Sequence, residues 1–182
     1  MREPAGVFVY TALEKDTQST VPTTWRVSIM STALPRLARI DEASSIHGLL
    51  WASRKEIGLK DSFSDERHMN WVRESCAAGE VLVVDREGAI ASVMVLRSNR
   101  HVTYMATAER SRRSGLARVL MQHAKSLYPG LWAEAMPVNA NAIALLRSEG
   151  FRQNEALSTA PYIGFEWGTG RPRSTIGPDG RI

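Results

Sequence analysis

Three apolar segments follow one another between residues 81 and 107, and only four polar residues separate each segment from the next. The segments cover residues 81–84, 89–96 and 101–107, and their connections are Asp-Arg-Glu-Gly and Arg-Ser-Asn-Arg. Valine and other β-branched residues favour strands, and connections this short join neighbouring antiparallel strands. We therefore predict a three-stranded antiparallel meander, around which the remaining elements pack.

Helical patterns precede the meander. Apolar residues recur every three or four positions after Pro35, which predicts a helix with one buried stripe. The stripe consists of Leu37, Ile40, Ala43, Ile46 and Leu50. A second helix is predicted to begin after Ser64, a favourable N-cap, and to end at Gly79. The alternation at residues 25–29 predicts a strand before both helices.

The chain after the meander alternates between helix and strand signals. We predict a helix over residues 115–127, a strand over 131–136, a helix over 139–149 and a closing hairpin over 151–167. This order of elements predicts a mixed α/β (α+β) fold in which one crossover helix joins two adjacent strands.

The length of 182 residues fits one domain. We expect this domain to cover residues 25–168. Residues 1–24 are expected to form a flexible N-terminal arm, because residues 15–24 are rich in Thr, Ser, Gln and Pro. Residues 169–182 are expected to form a flexible C-terminal tail, because Gly, Pro, Arg and Ser dominate them.

Charge and cysteine content restrict the possible partners. The net charge of +4 favours anionic ligands, but the basic residues are scattered without interleaved aromatic residues, which argues against a nucleic-acid partner. No apolar run approaches the roughly 20 residues that cross a bilayer, so no membrane partner is expected. The single cysteine, Cys76, excludes an internal disulfide and a cysteine zinc site. We expect a cytoplasmic protein without a metal.

An arginine-rich turn lies between the last strand of the meander and the helix predicted at residue 115. Residues 107–118 read Thr-Ala-Glu-Arg-Ser-Arg-Arg-Ser-Gly-Leu-Ala-Arg, with Gly115 directly at the helix start. Backbone N–H groups and the positive end of a helix dipole meet at such a point, which suits a phosphate or pyrophosphate. Solvated surface arginines are the alternative interpretation of this segment. The glycine motifs of dinucleotide and nucleoside triphosphate sites are absent from the sequence.

Two segments carry a family resemblance. Arg-Arg-Ser-Gly-Leu-Ala at residues 112–117 matches the pattern [QR]-x-x-G-x-[GA]. Residues 139–151 resemble N-x-x-A-x-x-[LY]-Y-x-x-x-G-F at the expected distance from it. Both patterns belong to the GNAT superfamily of N-acetyltransferases, which the chain resembles over residues 25–167. The resemblance implies a mostly antiparallel, twisted central sheet flanked by helices, with a cofactor-binding strand, loop and helix.

The resemblance also implies the co-substrate, acetyl-coenzyme A, and the residues that hold it. The family holds the pyrophosphate with a loop that corresponds here to Arg112, Arg113, Ser114, Gly115, Leu116 and Ala117. Main-chain groups of Met105 and Thr107 would pair with the pantetheine arm. Asn139 matches an asparagine that binds the same arm, and it is equally suited to cap the following helix.

One position departs from the family pattern. Leu146 stands where many members carry a tyrosine that protonates the leaving thiolate. Tyr104, Tyr162 or water are the alternative proton donors. A coenzyme-A-binding module with weak or no activity is the alternative function.

Acetyl transfer to an amine also requires a general base, because amines are protonated near pH 7. His101 is the first candidate, since it stands where the histone-acetyltransferase branch carries a catalytic glutamate. Glu134, on the neighbouring predicted strand, is the second. A histidine at a turn and an exposed sheet glutamate are the structural alternatives. The implied activity is direct transfer from acetyl-coenzyme A to a primary amine of a small molecule or peptide, and a homodimer is left open.

The resemblance implies that the acceptor enters between the first two helices and the closing hairpin. Its predicted acidic residues are Glu56, Asp61, Asp65, Glu66 and Glu155, with Tyr162 beside them. Carboxylates gathered at one entrance would favour a cationic amine. Ordinary solvated helix ends are the alternative explanation of these acids.

Overall fold

A computed structural model describes residues 34–55 and 64–169 of the chain. The predicted arm at residues 1–24, the predicted strand at residues 25–29 and residues 170–182 of the predicted tail lie outside the described residues. In chain order the strands and helices are β1 (Arg36–Leu37), α1 (Ala43–Ala52), α2 (Asp65–Ala77), β2 (Val81–Arg86), β3 (Ala89–Leu96), β4 (His101–Thr107), α3 (Leu116–Leu127), β5 (Gly130–Ala135), α4 (Ala140–Ser148), β6 (Arg152–Gln153) and β7 (Ile163–Gly168).

The described strands form one sheet in the order β1-β2-β3-β4-β5-β7-β6. Strands β2, β3 and β4 are consecutive antiparallel neighbours, which confirms the predicted meander. The pair β4 and β5 is parallel, and α3 makes the crossover between them as predicted. The closing segment pairs β6 with β7 antiparallel, and β7 also pairs with β5. The mixed α/β fold is therefore confirmed.

The sheet separates two apolar cores. Alternation along β2 directs Leu82 and Val84 into the core shared with α3, whereas Val81 and Val83 enter the core shared with α1 and α2. The core on the α3 side also contains Leu146 of α4. Each face of the sheet is thus covered by its own pair of helices.

The predicted start of the first helix is wrong. Arg36 and Leu37 form β1 and pair with β2, and a 3₁₀ turn at Ile40–Glu42 precedes α1. Leu37 and Ile40 are 57% and 54% exposed, so they do not belong to the buried stripe. The cause is a distant ion pair network, in which the Arg36 guanidinium binds both Glu42 and Asp85 of β2 and holds this segment along the sheet edge.

The second predicted helix is confirmed. The Ser64 hydroxyl accepts a hydrogen bond from the Arg67 N–H at 3.3 Å, which is the N-cap geometry expected for this residue. Gly79 follows the helix with a φ of +69°, a conformation that glycine adopts at little cost. Val72 and Cys76 are buried against α1 and the sheet.

A column of aromatic rings joins α1 to α2. The fully buried His68 ring lies 4.9 Å from the His47 ring and 5.6 Å from both the Trp51 and the Trp71 ring, measured between centroids. Burial lowers the pKa of His68 to about 4, and the charge of His47 acts in the same direction, against a smaller opposite effect of Asp65. The column is therefore built around a neutral imidazole.

We expect this column to weaken in acid. Because the pKa of His68 is lower in the folded protein than its ordinary value of 6.5, the unfolded chain binds the proton more readily. The free energy of unfolding should fall by roughly 1 to 3 kcal/mol as the pH falls from about 6.5 to about 4. Urea denaturation at a series of pH values measures this decrease, and His68→Leu should make it smaller.

The matched control is Val72→Ala on the same buried face of α2. Removal of its methyl groups should lower the free energy of unfolding by roughly 1 to 2 kcal/mol at every pH, because no titrating group is lost. The assignment to His68 is contradicted if the pH dependence of the free energy of unfolding is unchanged in His68→Leu. It is also contradicted if Val72→Ala reduces that pH dependence as much as His68→Leu does.

Candidate functional site

Strands β4 and β5 are paired over a very short distance. The register joins His101 to Trp132 and Val102 to Ala133, and no further pairs are formed between the two strands over their described lengths. A cleft of about 950 Å³ lies along the separated parts of both strands and continues to the starts of α3 and α4. The strand separation therefore exposes main-chain groups of β4 to one long cleft.

The turn before α3 forms one end of this cleft. Gly115 occupies the N-cap position with a φ of +84°, and Arg113 also has a positive φ of +60°. The Ser114 hydroxyl donates to the Ser111 carbonyl, and the Val119 N–H donates to the Gly115 carbonyl. The N–H groups at the helix start precede the helical hydrogen-bond ladder, so they are available to an anion.

Open space lies beside Gly115. A Cβ added to this residue would meet no atom within 4 Å. The glycine is therefore required by the left-handed backbone rather than by crowding within the protein. The open space and the N–H groups at the helix start make the turn a cradle that fits a phosphate group.

Most of the predicted cofactor residues lie around this cleft. Those that line it are Met105, Thr107, Arg112, Arg113, Gly115, Leu116, Ala117 and Asn139. Ser114 does not line it, and its hydroxyl holds the turn instead. The Asn139 side chain accepts a hydrogen bond from the Ala142 N–H at 3.0 Å, so the predicted capping role is confirmed.

His101 lies beside the cleft rather than in its lining. Its ring stacks on Trp132 with 3.7 Å between centroids, and its Nδ1 lies 3.3 Å from the Thr103 hydroxyl. Burial lowers the pKa of His101 to about 4, and the charge of Arg97 acts in the same direction. The imidazole is therefore neutral at pH 7.

Glu134 does line the cleft, at the point where β4 and β5 separate. Its Oε1 accepts a hydrogen bond from the Thr159 hydroxyl at 2.6 Å, and its Oε2 lies 4.0 Å from Nε2 of His101. The two predicted catalytic residues are thus brought together. The sequence alone did not indicate Thr159, because its partner lies 25 residues away and no local pattern joins them.

Two tyrosines line the cleft near Glu134. The Tyr104 ring lies edge-on to Trp71 with 5.3 Å between centroids, and both Tyr104 and Tyr162 line the cleft. Burial raises the pKa of Tyr104, Tyr162 acts in the same direction, and Arg97 has a smaller opposite effect. Leu146 is buried in the core below the same cleft.

The predicted acidic entrance is described in part. Glu56 and Asp61 lie outside the described residues, and Glu155 does not line the cleft. Asp65 is exposed at the start of α2, where its carboxylate lies 3.2 Å from Nε2 of His47. The acidic entrance therefore stays a prediction.

Metal clusters and membrane-spanning helices are both absent from the described residues. No group of three or more His, Cys, Asp or Glu side chains there is arranged to hold a metal ion. No helix within residues 34–55 and 64–169 is long and apolar enough to span a membrane.

Comparison with solved structures identifies similar folds. A GNAT-family acetyltransferase from Bacillus cereus ATCC 10987 aligns with a TM-score of 0.58 and 20% identity, over 75% of this chain and 97% of that chain. A ribosomal-protein-alanine N-acetyltransferase from Brucella melitensis aligns with a TM-score of 0.56 and 18% identity, over 75% and 99%. The PaiA N-acetyltransferase from Thermoplasma acidophilum, in complex with coenzyme A, aligns with a TM-score of 0.57 and 10% identity, over 74% and 98%.

Sequence comparison gives the family directly. No curated protein matches the chain. The family model described as an acetyltransferase (GNAT) domain matches residues 54–154, which is more than half of the chain. This match covers the meander, the turn before α3 and most of the residues that line the cleft. The chain therefore belongs to the GNAT acetyltransferase family.

Proposed function

We propose that the chain transfers an acetyl group from acetyl-coenzyme A to a primary amine of a small molecule or peptide. The observation that carries the proposal is the single cleft that joins an anion-binding turn to the separated edges of β4 and β5. Such a cleft fits a ligand with a phosphorylated end and a long arm that carries amide groups. The coenzyme A bound to the structural relative from Thermoplasma acidophilum supports the same assignment.

The chemistry of the cleft matches the two ends of this co-substrate. The turn at Gly115 offers N–H groups, open space and the positive end of α3 to the pyrophosphate. The main-chain groups of Met105 and Thr107 lie on the separated part of β4, where an extended arm finds hydrogen-bonding partners. When bound, acetyl-coenzyme A supplies the activated acyl group as a thioester.

We assign the general base to Glu134 and a supporting role to His101. Glu134 lines the cleft, whereas His101 stacks behind it on Trp132 with a pKa of about 4. Glu134 accepts the proton that the ammonium group must lose before its nitrogen bonds to the acyl carbon. Thr159 donates a hydrogen bond to one oxygen of this carboxylate, and the neutral His101 ring lies 4.0 Å from the other oxygen.

The proton for the leaving sulfur is assigned to Tyr104. The pKa of the Tyr104 phenol is raised, so the phenol is protonated at neutral pH. The Tyr104 ring lines the same cleft as Leu146, which has no hydroxyl to donate a proton. Transfer is direct, since Cys76 is buried on α2 and burial raises the pKa of its thiol. The thiol is therefore no nucleophile for the acyl group.

An acceptor assay tests the proposed activity. Incubation of the wild-type chain with acetyl-coenzyme A and a panel of polyamines, aminoglycosides, amino acids and peptides should release free thiol and yield an acetylated amine by mass spectrometry. A tertiary amine of equal charge is the control, because its nitrogen has no N–H proton left to lose after acyl transfer and so forms no stable amide. Tight binding of coenzyme A without release of thiol by any primary amine supports the binding module instead.

The turn at Gly115 should be sensitive to any side chain. We expect Gly115→Val to weaken coenzyme A binding in calorimetric titration by about tenfold or more, which is about 1.4 kcal/mol. The valine strains a backbone with a φ of +84° and fills the open space beside the turn.

Gly88→Val is the matched control for backbone strain. Gly88 has a φ of +76° and equally open surroundings, but it lies in the turn between β2 and β3, outside the cleft lining. This variant should lose stability and keep its affinity for coenzyme A. Equal affinity losses in both variants contradict the assignment of the turn at Gly115.

Glu134→Gln and His101→Phe separate the two candidate bases. Glu134→Gln should lower kcat/KM by about 10²-fold or more, because the amide accepts no proton from the amine. His101→Phe preserves the stacking on Trp132 and should lower kcat/KM by less than tenfold. Steady-state kinetics over pH 5 to 9 give both values, and the affinity for coenzyme A should stay unchanged.

Glu166→Gln is the control carboxylate, since Glu166 pairs with Trp132 on the neighbouring strand and does not line the cleft. It should retain most of the activity. The contrary result has two parts: kcat/KM rises near pH 6.5 and this rise disappears in His101→Phe, while Glu134→Gln stays active. The general base would then be His101 rather than Glu134.

A further inference from the structure

One buried carboxylate ties α3 to the end of α4. The Glu149 side chain is 3% exposed and accepts hydrogen bonds from Arg118 Nε at 2.9 Å, from Lys125 Nζ at 2.9 Å and from the Gln122 amide. Burial alone would raise the pKa of this carboxyl, but the three donors and the charge of Lys125 together lower it. Glu149 is therefore an anion at neutral pH, surrounded by donors from a single face of α3.

The two cations around Glu149 differ in their surroundings. The Lys125 side chain is 10% exposed. Its ammonium group also donates to the Glu149 carbonyl at 2.6 Å and lies 5.1 Å from the Trp167 ring centroid. It is enclosed by the protein, so it balances the carboxylate by itself. The Arg118 side chain is 61% exposed and lines the cleft. Arg118 therefore provides a positive charge beyond what Glu149 requires.

Only one of the three nitrogen atoms in the Arg118 guanidinium forms a hydrogen bond within the described residues. Its Nε is bound to Glu149, and among the described residues its two terminal amino groups have no hydrogen-bond partner. A bond at Nε fixes the plane of the guanidinium, which leaves the terminal groups in the fork geometry that binds phosphate oxygens. Glu149 therefore fixes the orientation of the Arg118 guanidinium and leaves its terminal amino groups available to a second anion.

The position of Arg118 along α3 supports the same conclusion. It is the third residue of α3, within the first turn, where the helix dipole disfavours a cation. Glu149 supplies one anion that offsets this cost, and a phosphate group at the terminal amino groups can supply a second. Coenzyme A carries two separate anionic groups, the pyrophosphate and the adenosine 3′-phosphate. The N–H groups before α3 suit the first, and Arg118, one residue beyond the turn at residues 112–117, is available for the second.

We propose that Arg118, positioned by Glu149, binds the 3′-phosphate of coenzyme A and makes the chain select coenzyme A over 3′-dephospho-coenzyme A. This inference rests on the proposed function, since it assumes that the cleft binds coenzyme A. It adds a specificity residue and a positioning residue outside the turn at residues 112–117. The exposed phosphomonoester binds to the two terminal amino groups of Arg118, while Nε stays on Glu149.

Calorimetric titration with coenzyme A and with 3′-dephospho-coenzyme A tests the proposal. The wild-type chain should bind coenzyme A about five- to tenfold more tightly than the dephospho form, as expected for one charge-assisted contact at a solvent-exposed site. Arg118→Gln should reduce this ratio to below about twofold and leave the affinity for the dephospho form unchanged. The variant should fold, because Lys125 and Gln122 still bind Glu149.

Arg73→Gln is the matched control for net charge. Arg73 is exposed on α2 and lies outside the cleft lining, so its removal should leave the ratio unchanged. Glu149→Gln tests the positioning role. It should lower the ratio by about threefold in the wild-type background and should have no effect on the ratio when combined with Arg118→Gln. A purely structural role of Glu149 would instead lower both affinities equally.

The outcomes separate this inference from the proposed function. Equal binding of both ligands by the wild-type chain, or equal losses for both ligands in Arg118→Gln, overturns the 3′-phosphate assignment and leaves coenzyme A binding intact. Failure of the wild-type chain to bind either ligand overturns the proposed function and this inference with it.

Discussion

The structure depends on how little of β4 is paired with β5. Two registered pairs join these strands, whereas β4 forms five with β3 and β5 forms six with β7. Each strand is therefore held in the sheet by its outer neighbour, and the two can separate without losing the fold. Separation leaves backbone N–H and C=O groups along the cleft, and such groups require partners when water is excluded. A ligand with hydrogen-bonding groups along an extended arm meets this requirement.

The two ends of the cleft are stabilised differently. At the end formed by the turn before α3, α3 is tied to the end of α4 by Glu149, and its first turn is preceded by the left-handed Gly115. At the other end, the Glu134 carboxylate is held by Thr159 and lies beside His101. Two connected helices thus support the turn before α3, whereas the Glu134 carboxylate at the strand separation is held by Thr159, which lies in a loop.

The sequence predicted those features that depend on neighbouring residues. The meander follows from short polar connections, α2 from its cap at Ser64, and the turn at Gly115 from a compact motif. The start of the first helix was not predictable in this way, because Arg36 is held by Asp85, 49 residues away. The helical spacing of Leu37 and Ile40 is real, but a non-local ion pair decides the backbone conformation there.

The same distinction between local and long-range interactions applies to the candidate site. Most of the candidate cofactor residues belong to short contiguous motifs, and most of the candidates line one cleft. The environment of His101 was not predictable, because its low pKa results from burial and from Arg97, and its stacking partner Trp132 lies on another strand. The hydrogen bond between Thr159 and Glu134 likewise joins two segments that only the folded sheet brings together.

The strand separation also connects the two faces of the sheet. Met105 packs against the core on the α3 side, whereas its neighbour Tyr104 packs on Trp71 on the side of α1 and α2. Consecutive residues of a strand point to opposite faces, so one short stretch of β4 borders both layers. Glu134 lies where the strands separate and lines the same cleft as Tyr104 and the turn before α3. In the proposed reaction, the thioester and the amine can therefore approach this point from opposite faces, which is what direct transfer between two bound substrates requires.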